Sequence, residues 1–349
     1  MSTTTSATSE PFSAETYFAT QPPPPTLEQD IDGVREFISR QAGQGRNVVL
    51  VTSGGTTVPL ELNVVRFLDN FSAGTRGATS AEYFLQAGYA VIFMHRQFSL
   101  QPFSRHYSHS TNPFLDFLDI KAGSNGNGEE RSPIIGVTAS ENTKLLNVLT
   151  TYKSVQKEGT LHTLTFVTVN DYLWLLRAVS QELSKMKRKA LYYLAAAVSD
   201  FFLPRRRMAE HKIQSGKGSL LIEMDQVPKI LKPMVDEWSK DGYIVSFKLE
   251  TDPALLVPKA RAALERYGHQ VVIGNDLNRR KFEVVFVSKP STPAQLPGEG
   301  NEVRTLGEPT DTWLKLDPKV VDQGKEIEED IVAELVKRHQ RWIKEGIKN

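Results

Sequence analysis

The sequence predicts an α/β fold built on a doubly wound, mostly parallel, Rossmann-like sheet with helices on both faces. Short apolar runs of strand length, such as 47–53 and 270–275, alternate along the chain with longer segments whose apolar residues share one helical face. The apolar runs are continuous and do not alternate with polar residues. Continuous runs indicate strands buried on both sides, as in parallel sheets that helices cover.

The predicted elements keep this alternating order after a first helix over residues 25–43. The strands are predicted at 47–53, 90–95, 161–169, 190–198, 243–249, 270–275 and 283–289, the last of these being the final strand. The following helices are predicted at 73–87, 141–157, 171–186, 228–238, 253–267 and, at the C-terminus, 321–343. The stretch 98–133 interrupts the pattern and ends in Gly, Asn and Ser, so we expect a flexible surface insertion there.

Residues 1–24 are rich in Ser, Thr and Pro and end within the run Pro22–Pro25. Segments of this composition bury too little apolar surface to fold, so we expect a disordered N-terminal tail. The remaining residues, 25–349, are long enough for a large core and are predicted to form a single domain.

The composition excludes several classes of protein. The chain has 42 Lys and Arg against 41 Asp and Glu, a net charge of +1, so no overall field attracts nucleic acid or a membrane surface. It has no cysteine, which rules out disulfides and thiolate chemistry. No stretch is apolar enough to cross a bilayer, and the N-terminus does not read as a secretory signal. We expect a soluble protein of the cytoplasm, with the nucleus as the alternative.

Small or polar residues follow several predicted strands, at the edge where open α/β sheets bind ligands. Gly54 and Gly55 follow the first strand, Asp200 follows the fourth, and Asn275 ends the sixth. Each residue also has a plain structural explanation, as a turn residue or a helix cap. Together they predict one crevice at the carboxyl edge of the sheet.

The segment before the second predicted helix indicates the chemistry of the ligand. Asn70, Ser72, Gly74 and Gly77 come just before or within the first turn of this helix. The first N–H groups of a helix have no intrahelical partner, and the helix dipole is positive there, so helix starts attract anions. We therefore expect a phosphate-bearing ligand.

Familiar nucleotide signatures are missing. The P-loop motif is absent, as is G-x-G-x-x-G after the first strand, and no Tyr has a Lys four residues later as short-chain reductases require. His95 and Arg96 lie at the end of the second strand and would suit a 2′-phosphate, so an NADP-dependent reductase of Rossmann type remains one alternative. A non-catalytic regulatory module on the same fold is the other. His106 and His109 lack a third ligand, and no metal site is predicted.

Six motifs together resemble the free-standing eukaryotic phosphopantothenoylcysteine synthetases. They are VTSGGT, RFLDNFSAGTRGATSAEYFLQAGY, LAAAVSDFFLP, EHKIQSG, VSFKLETDP and the Asn after QVVIG. They occur in the family's order over roughly residues 45–290 and fall on the strand ends described above.

The resemblance implies an enzyme of coenzyme A biosynthesis that joins 4′-phosphopantothenate to L-cysteine. In this family a nucleoside triphosphate activates the pantothenate carboxylate as an acyl-nucleotidylate and leaves as monophosphate and pyrophosphate. The eukaryotic type implies ATP as co-substrate, with CTP the possible alternative. Mg²⁺ is expected on the triphosphate.

The resemblance also implies roles for individual residues. The nucleotide would contact Gly54, Ser72, Gly74, Gly77, Phe247 and Asn275. Phosphopantothenate would contact Ala196, Ala197 and Asp200. The catalytic residues would be Asn70 on the activated intermediate, Lys212 on phosphate, and Arg66, which would reach the neighbouring subunit's site in a homodimer.

Overall fold

The computed structural model describes residues 12–107, 114–124, 130–215, 218–289 and 309–347. The helices are α1 (Ala14–Thr20), α2 (Leu27–Gly43), α3 (Thr75–Gln86), α4 (Asn142–Glu158), α5 (Val169–Leu183), α6 (Leu231–Pro233), α7 (Pro253–Tyr267), α8 (Pro318–Asp322) and α9 (Ile327–Glu345). The first strands are β1 (Val48–Ser53), β2 (Thr57–Pro59), β3 (Phe67–Asp69), β4 (Ala90–Arg96), β5 (Leu118–Ser124), β6 (Glu130–Val137) and β7 (Leu161–Phe166). The remaining strands are β8 (Ala190–Leu194), β9 (Phe201–Phe202), β10 (Asp225–Gln226), β11 (Tyr243–Glu250), β12 (Val271–Asp276), β13 (Glu283–Ser288) and β14 (Thr310–Lys315).

The main sheet of the described residues has eight strands in the order β14-β13-β12-β11-β8-β1-β4-β7. The six neighbouring strands β12, β11, β8, β1, β4 and β7 run parallel, whereas β13 and β14 pair antiparallel at one edge. The chain winds outward from β1 through β4 to β7, then returns to β8 on the other side of β1. The predicted doubly wound, mostly parallel sheet is confirmed, and its switch point lies between β1 and β8.

Successive residues of each central strand point to opposite faces of the sheet and enter different cores. Val48 and Leu50 of β1 belong to a core with α1, α2 and α5, whereas Val49 and Val51 pack with α3 and α9. All six residues of β1 are buried. The continuous apolar runs in the sequence are explained by this burial on both faces.

The N-terminal segment is folded where the structure describes it, so the predicted tail is wrong for residues 12–24. Helix α1 begins after Ser13, whose hydroxyl accepts a hydrogen bond from the Thr16 N–H at 3.1 Å. Tyr17 is completely buried. The helix forms because distant aromatic residues cover it, which composition alone does not reveal. Residues 1–11 lie outside the described part of the chain.

The insertion predicted as a flexible loop at 98–133 contains regular structure. It includes two short 3₁₀ turns, and β5 and β6 form an antiparallel hairpin. Near the beginning of the insertion, Arg105 forms ion pairs with Glu82 at 2.7 Å and with Glu326 at 2.5 Å, which connect the insertion to α3 and to the start of α9. Residues 108–113 and 125–129 of this stretch lie outside the described part.

The C-terminal region differs from the prediction in two respects. Strand β14 follows β13 and forms the sheet edge, so the strand predicted at 283–289 is not the last. The predicted single helix at 321–343 is two helices, because Gly324 adopts a φ of +95° between α8 and α9. The helix predicted at 228–238 is observed as the short α6 followed by a π-helical turn over Met234–Trp238.

Two buried histidines predict that the free energy of unfolding falls at acidic pH. Burial lowers the pKa of His339 to about 4, despite the hydrogen bond that its ring makes with the Arg188 carbonyl, and burial lowers the pKa of His269 to about 4 as well. Because the folded-state pKa lies below the unfolded value near 6.5, the stabilisation is complete above about pH 6.5 and is lost as the pH falls toward 4. For His339 the expected loss at pH 5 is about 2 kcal/mol. Urea unfolding at pH 5 and 7.5 measures it, and the non-titrating His339→Gln should show a smaller difference between the two pH values. Equal pH dependence of both proteins would contradict this prediction.

Candidate functional site

A cavity of about 800 Å³ opens at the carboxyl edge of the sheet, at the switch point. Its walls come from the turn before α3, the chain after β8, the ends of β11 and β12, and the turn 227–231. The predicted residues that line it are Ser72, Gly74, Ala196, Ala197, Asp200, Phe247 and Asn275. The structure thus brings residues from four separate parts of the sequence to one crevice.

The start of α3 is held directly against the end of β1. Gly74, with φ +83°, is the N-cap residue, and no side chain caps the helix. The Ser53 hydroxyl donates to the Gly74 carbonyl at 3.0 Å. At Gly77 a Cβ atom would lie 2.4 Å from the Ser53 Oγ, so only glycine lets the helix come this close. The first N–H groups of α3 therefore stand at the cavity, although Gly77 itself packs behind it.

The turn after β1 positions Asn70. Gly54 has a φ of +83°, and a Cβ atom on Gly55 would lie 1.6 Å from the Asn70 carbonyl oxygen. The Asn70 N–H donates to the Thr56 carbonyl at 3.1 Å. Neither Gly54 nor Asn70 lines the cavity, but Asn70 directly precedes Phe71, which does. The half-buried Asn70 is thus fixed at the rim by a backbone contact that no larger residue at 55 permits.

The chain after β8 is held in an extended form beside this turn. The Ala196 N–H donates to the Thr52 hydroxyl at 3.1 Å, and the Ala197 N–H donates to the Gly54 carbonyl at 2.8 Å. These bonds leave two small methyl side chains on the cavity wall. Asp200 follows with an exposed side chain, and its backbone carbonyl accepts a hydrogen bond from the Val227 N–H at 2.9 Å.

Phe247 and Asn275 lie on the face of the sheet that packs on α3. The Phe247 ring makes an edge contact with Tyr193, with 4.9 Å between the ring centroids. The Tyr193 hydroxyl lies 2.8 Å from the Ser80 hydroxyl of α3, which ties this wall to the helix. Asn275 is 7% exposed at the end of β12. An aromatic ring and an amide therefore share one side of the cavity with the helix start.

Sequence reasoning did not single out the cationic end of the cavity. Lys248, Arg280 and Lys281 line it, together with Arg76 and Glu328. Arg76 pairs with Glu328 at 2.9 Å and also donates to the Arg280 carbonyl at 2.7 Å. Burial raises the pKa of the Glu328 carboxyl, and the Arg76 guanidinium opposes this shift. Three consecutive cations soon after Asn275, at 279–281, were the available signal in the sequence.

Arg66 and Lys212 lie outside this cavity and close to one another in the fold. The Arg66 guanidinium pairs with the buried Glu61 at 2.8 Å and donates to the Ile213 carbonyl at 3.1 Å. Burial raises the pKa of Glu61, but hydrogen bonds from the Arg66 and Ile213 N–H groups and from the Arg66 side chain outweigh it, so the pKa lies below its ordinary value. Lys212 is exposed. The structure does not bring these two cations to the other site residues within one chain.

His95 and Arg96, the residues that would suit the 2′-phosphate of NADP, contact other groups of the protein. His95 is 2% exposed and lies over the Phe93 ring at 5.1 Å. Its Nδ1 atom is 2.8 Å from the Arg96 carbonyl oxygen. Arg96 forms an ion pair with Asp69. Neither side chain is arranged to receive a 2′-phosphate.

Comparison with known proteins gives a consistent result. The family described as DNA/pantothenate metabolism flavoprotein C-terminal domain matches residues 25–111 and 147–292. The phosphopantothenate–cysteine ligase CAB2 of Saccharomyces cerevisiae is 44% identical over 350 residues, covering 94% of this chain and 86% of CAB2. The Homo sapiens phosphopantothenate–cysteine ligase is 43% identical over 324 residues, covering 92% of this chain and 96% of the human protein.

This chain belongs to the phosphopantothenate–cysteine ligases. A solved structure of a Cab2 histidine-to-alanine mutant in complex with phosphopantothenate-cysteine has a TM-score of 0.79 and 43% identity, and the match covers 95% of this chain and 99% of the chain in that structure. The resemblance seen in the sequence motifs is thereby confirmed. The match to the flavoprotein C-terminal domain family is interrupted between 111 and 147, the stretch that holds the β5–β6 hairpin and the start of α4.

Within the described residues, no helix is both long and apolar enough for a bilayer. The described chain also shows no group of three or more His, Asp or Glu side chains arranged to hold a metal ion.

Proposed function

We propose that this ligase joins 4′-phosphopantothenate to L-cysteine in coenzyme A biosynthesis. The observation that carries the proposal is the close likeness, along 95% of the chain, to a structure in complex with phosphopantothenate-cysteine. The cavity adds chemical support, because a helix start and several cations face small side chains and a carboxylate across it. We place the reaction in the cytoplasm, with the nucleus as the alternative, since its substrates are charged and water-soluble.

The reaction proceeds in two displacements. The pantothenate carboxylate attacks the α-phosphorus of the triphosphate, and pyrophosphate leaves with the electron pair of the broken P–O bond. The cysteine amine then attacks the acyl carbonyl, loses a proton, and expels the nucleoside monophosphate. The enzyme's main task is to bring two anionic substrates together and to offset their charge.

The nucleotide is proposed to lie across the start of α3. The N–H groups after Gly74 and the Ser72 hydroxyl would donate to the phosphates, and Mg²⁺ would arrive bound to the triphosphate. Phe247 would pack on the base or ribose, and Asn275 would donate to the nucleotide from the same wall. ATP is the proposed co-substrate and CTP the alternative; Arg280 and Lys281 would add positive charge around either.

Phosphopantothenate is proposed to lie against the chain after β8. The methyl side chains of Ala196 and Ala197 let the pantoyl arm lie close to the backbone. Asp200 would accept a hydrogen bond from a hydroxyl or amide group of that arm. Asn70, at the rim beside this chain, would donate to the carbonyl oxygen of the activated intermediate.

Arg66 and Lys212 are proposed to act on the phosphate of phosphopantothenate, Arg66 from the second subunit of a homodimer. Arg66 lies outside the cavity of its own chain, so a partner's cavity is the site that it can complete. Around it Val64, Val65 and Phe67 are 56%, 56% and 49% exposed. Apolar side chains exposed in a continuous run are typical of a protein–protein interface.

The reaction products test the function directly. Purified protein is incubated with phosphopantothenate, cysteine and either ATP or CTP, and the phosphorus products are quantified. Pyrophosphate and nucleoside monophosphate in equal amounts are expected. Release of diphosphate and orthophosphate would mean acyl-phosphate chemistry, and reduction of a substrate by NADPH would favour the reductase alternative. A regulatory module would give no turnover.

The substitution Asp200→Asn tests the phosphopantothenate site. It keeps the size of the side chain and removes a charge that no described residue pairs. We expect the KM for phosphopantothenate to rise about tenfold or more, with kcat and the KM for ATP little changed, because a binding contact to one substrate is lost. Steady-state kinetics with each substrate varied in turn measure this. A large drop in melting temperature with unchanged kinetics would instead make Asp200 a structural cap.

A further inference from the structure

The part of the cavity wall that carries Asp200 is held by few backbone hydrogen bonds of its own. We call residues 200–203 and 225–231 the substrate wall. Its two strands, β9 and β10, have two residues each, and the Val227 N–H bonds to the Asp200 carbonyl at 2.9 Å. Arg207, which lies just outside it, forms an ion pair with Asp225 of β10. Segments with so few backbone bonds need packing from outside to hold one geometry.

The N-terminal arm, residues 12–22, lies against the back of this wall. The Tyr17 and Phe12 rings make edge contacts with Phe202, with centroid distances of 4.9 and 5.5 Å. Phe202 is 3% exposed and lies two residues after Asp200. The Gln21 side-chain oxygen accepts a hydrogen bond from the Arg205 N–H at 3.1 Å, just beyond the wall.

The arm is itself anchored to rigid parts of the domain. The Tyr17 hydroxyl donates to the Asn170 side-chain oxygen of α5 at 3.1 Å. Phe18 packs on Trp174 of α5, with ring centroids 4.9 Å apart, and on Trp238 at 6.0 Å. The Arg177 guanidinium lies over the Phe18 ring at 4.6 Å. The arm therefore connects helix α5 to Phe202 through a run of aromatic contacts.

We propose that the N-terminal arm is a positioning element for phosphopantothenate, acting through Phe202 on Asp200. The proposal rests on the placement of phosphopantothenate at Asp200 made above. The arm touches the substrate wall and not the start of α3, so it acts on one substrate and not on the nucleotide. Tyr17 and Phe12 are the positioning residues, because their rings are the ones that contact Phe202.

The test uses point variants of the full chain and separate KM values for each substrate. Tyr17→Ala removes the main ring contact and should raise the KM for phosphopantothenate about tenfold, since small displacements of a binding group cost that much or more. The KM for ATP should stay within about twofold. Tyr17→Phe keeps the ring on Phe202 and should restore most of the affinity. Glu15→Gln, on the exposed side of the same helix, is the matched control and should behave as wild type.

Two further variants separate the possible failures. Phe12→Ala removes the second, less buried ring contact and decides the matter if Tyr17→Ala does not fold; a KM increase of about threefold is expected. In the double variant Tyr17→Ala/Asp200→Asn, the Tyr17 substitution should raise the KM for phosphopantothenate little beyond its value in Asp200→Asn alone, because both substitutions act through one carboxylate.

The outcomes are distinct. If Asp200→Asn raises the KM for phosphopantothenate and neither arm variant does, the positioning role is overturned while the substrate site stands. Equal increases in the KM values for ATP and phosphopantothenate would also overturn it, since they indicate general loosening. If Asp200→Asn itself changes nothing, the substrate placement fails and the arm's role fails with it.

Discussion

Replacing Asn70 by Asp should slow formation of phosphopantothenoylcysteine at least about a hundredfold, because removing one donor from a developing oxyanion costs 10²–10³ in rate. Attack by the cysteine amine places negative charge on the acyl carbonyl oxygen. The Asn70 amide would donate to that oxygen without repelling nearby phosphates. Asp has the same size, lacks the donor and adds a negative charge.

The fold around position 70 should tolerate this change. Asn70 is fixed through its backbone, by the N–H bond to the Thr56 carbonyl and by the close approach of Gly55. ATP binding and melting temperature are therefore expected to stay near wild type, while single-turnover rates of product formation fall. Asn147→Asp places the same charge at an exposed position of α4, outside the cavity, and serves as the control. Near-wild-type turnover by Asn70→Asp would reduce Asn70 to a turn residue.

Replacing Arg66 by Ala should lower activity at least about tenfold, since a hydrogen-bonded charge on phosphate is worth about 1.5–3 kcal/mol. If Arg66 serves the neighbouring subunit, its loss can be complemented. In a heterodimer of Arg66→Ala and Asn70→Ala chains, one of the two sites combines an intact Asn70 with an intact Arg66. Random exchange would then restore about a quarter of wild-type activity, from half of the dimers with half of their sites.

The complementation has its own controls. Each variant alone must be nearly inactive, and differently tagged subunits must be shown to exchange. The folded fraction of Arg66→Ala needs a separate check, because the buried Glu61 loses its cationic partner. A mixture that exchanges and stays inactive would mean that Arg66 acts within its own subunit or has no role in the reaction.

The central strands and the main helices could be predicted from local sequence patterns. Strands buried on two faces require continuous apolar runs, and the helices place their apolar residues on one face. Strand β14 could not be predicted in this way, because it forms an exposed edge, little of it is buried, and only Trp313 and Leu314 of its six residues are apolar. Helix α1 was missed for another reason. Its stability comes from contacts with Trp174 and Trp238, which are far away in the sequence, and four of its seven residues are Ala or Thr.

In the candidate site, too, some features could be predicted from local sequence and others depend on contacts between distant residues. Most of the residues predicted at strand ends and at the helix start do line one cavity, since the sheet itself gathers them at one edge. The pairing of Arg76 with Glu328 could not be predicted, because it joins α3 to the C-terminal helix across the whole sequence. The separation of Arg66 from the cavity was also out of reach of local patterns, as it depends on how the segment around Glu61 packs on residues 209–213.

The position of β1 between β4 and β8 has a consequence for synthesis of the chain. Val48 pairs with Ala90 on one side, but on the other side its partner is Ala190. At ribosomal speeds of about 5–20 residues per second, one edge of the innermost strand stays without its neighbour for on the order of ten seconds. An apolar strand with an open edge invites pairing with other chains. Newly made molecules must therefore be shielded until β8 emerges, and the cavity is complete only later, once β11 and β12 have been made.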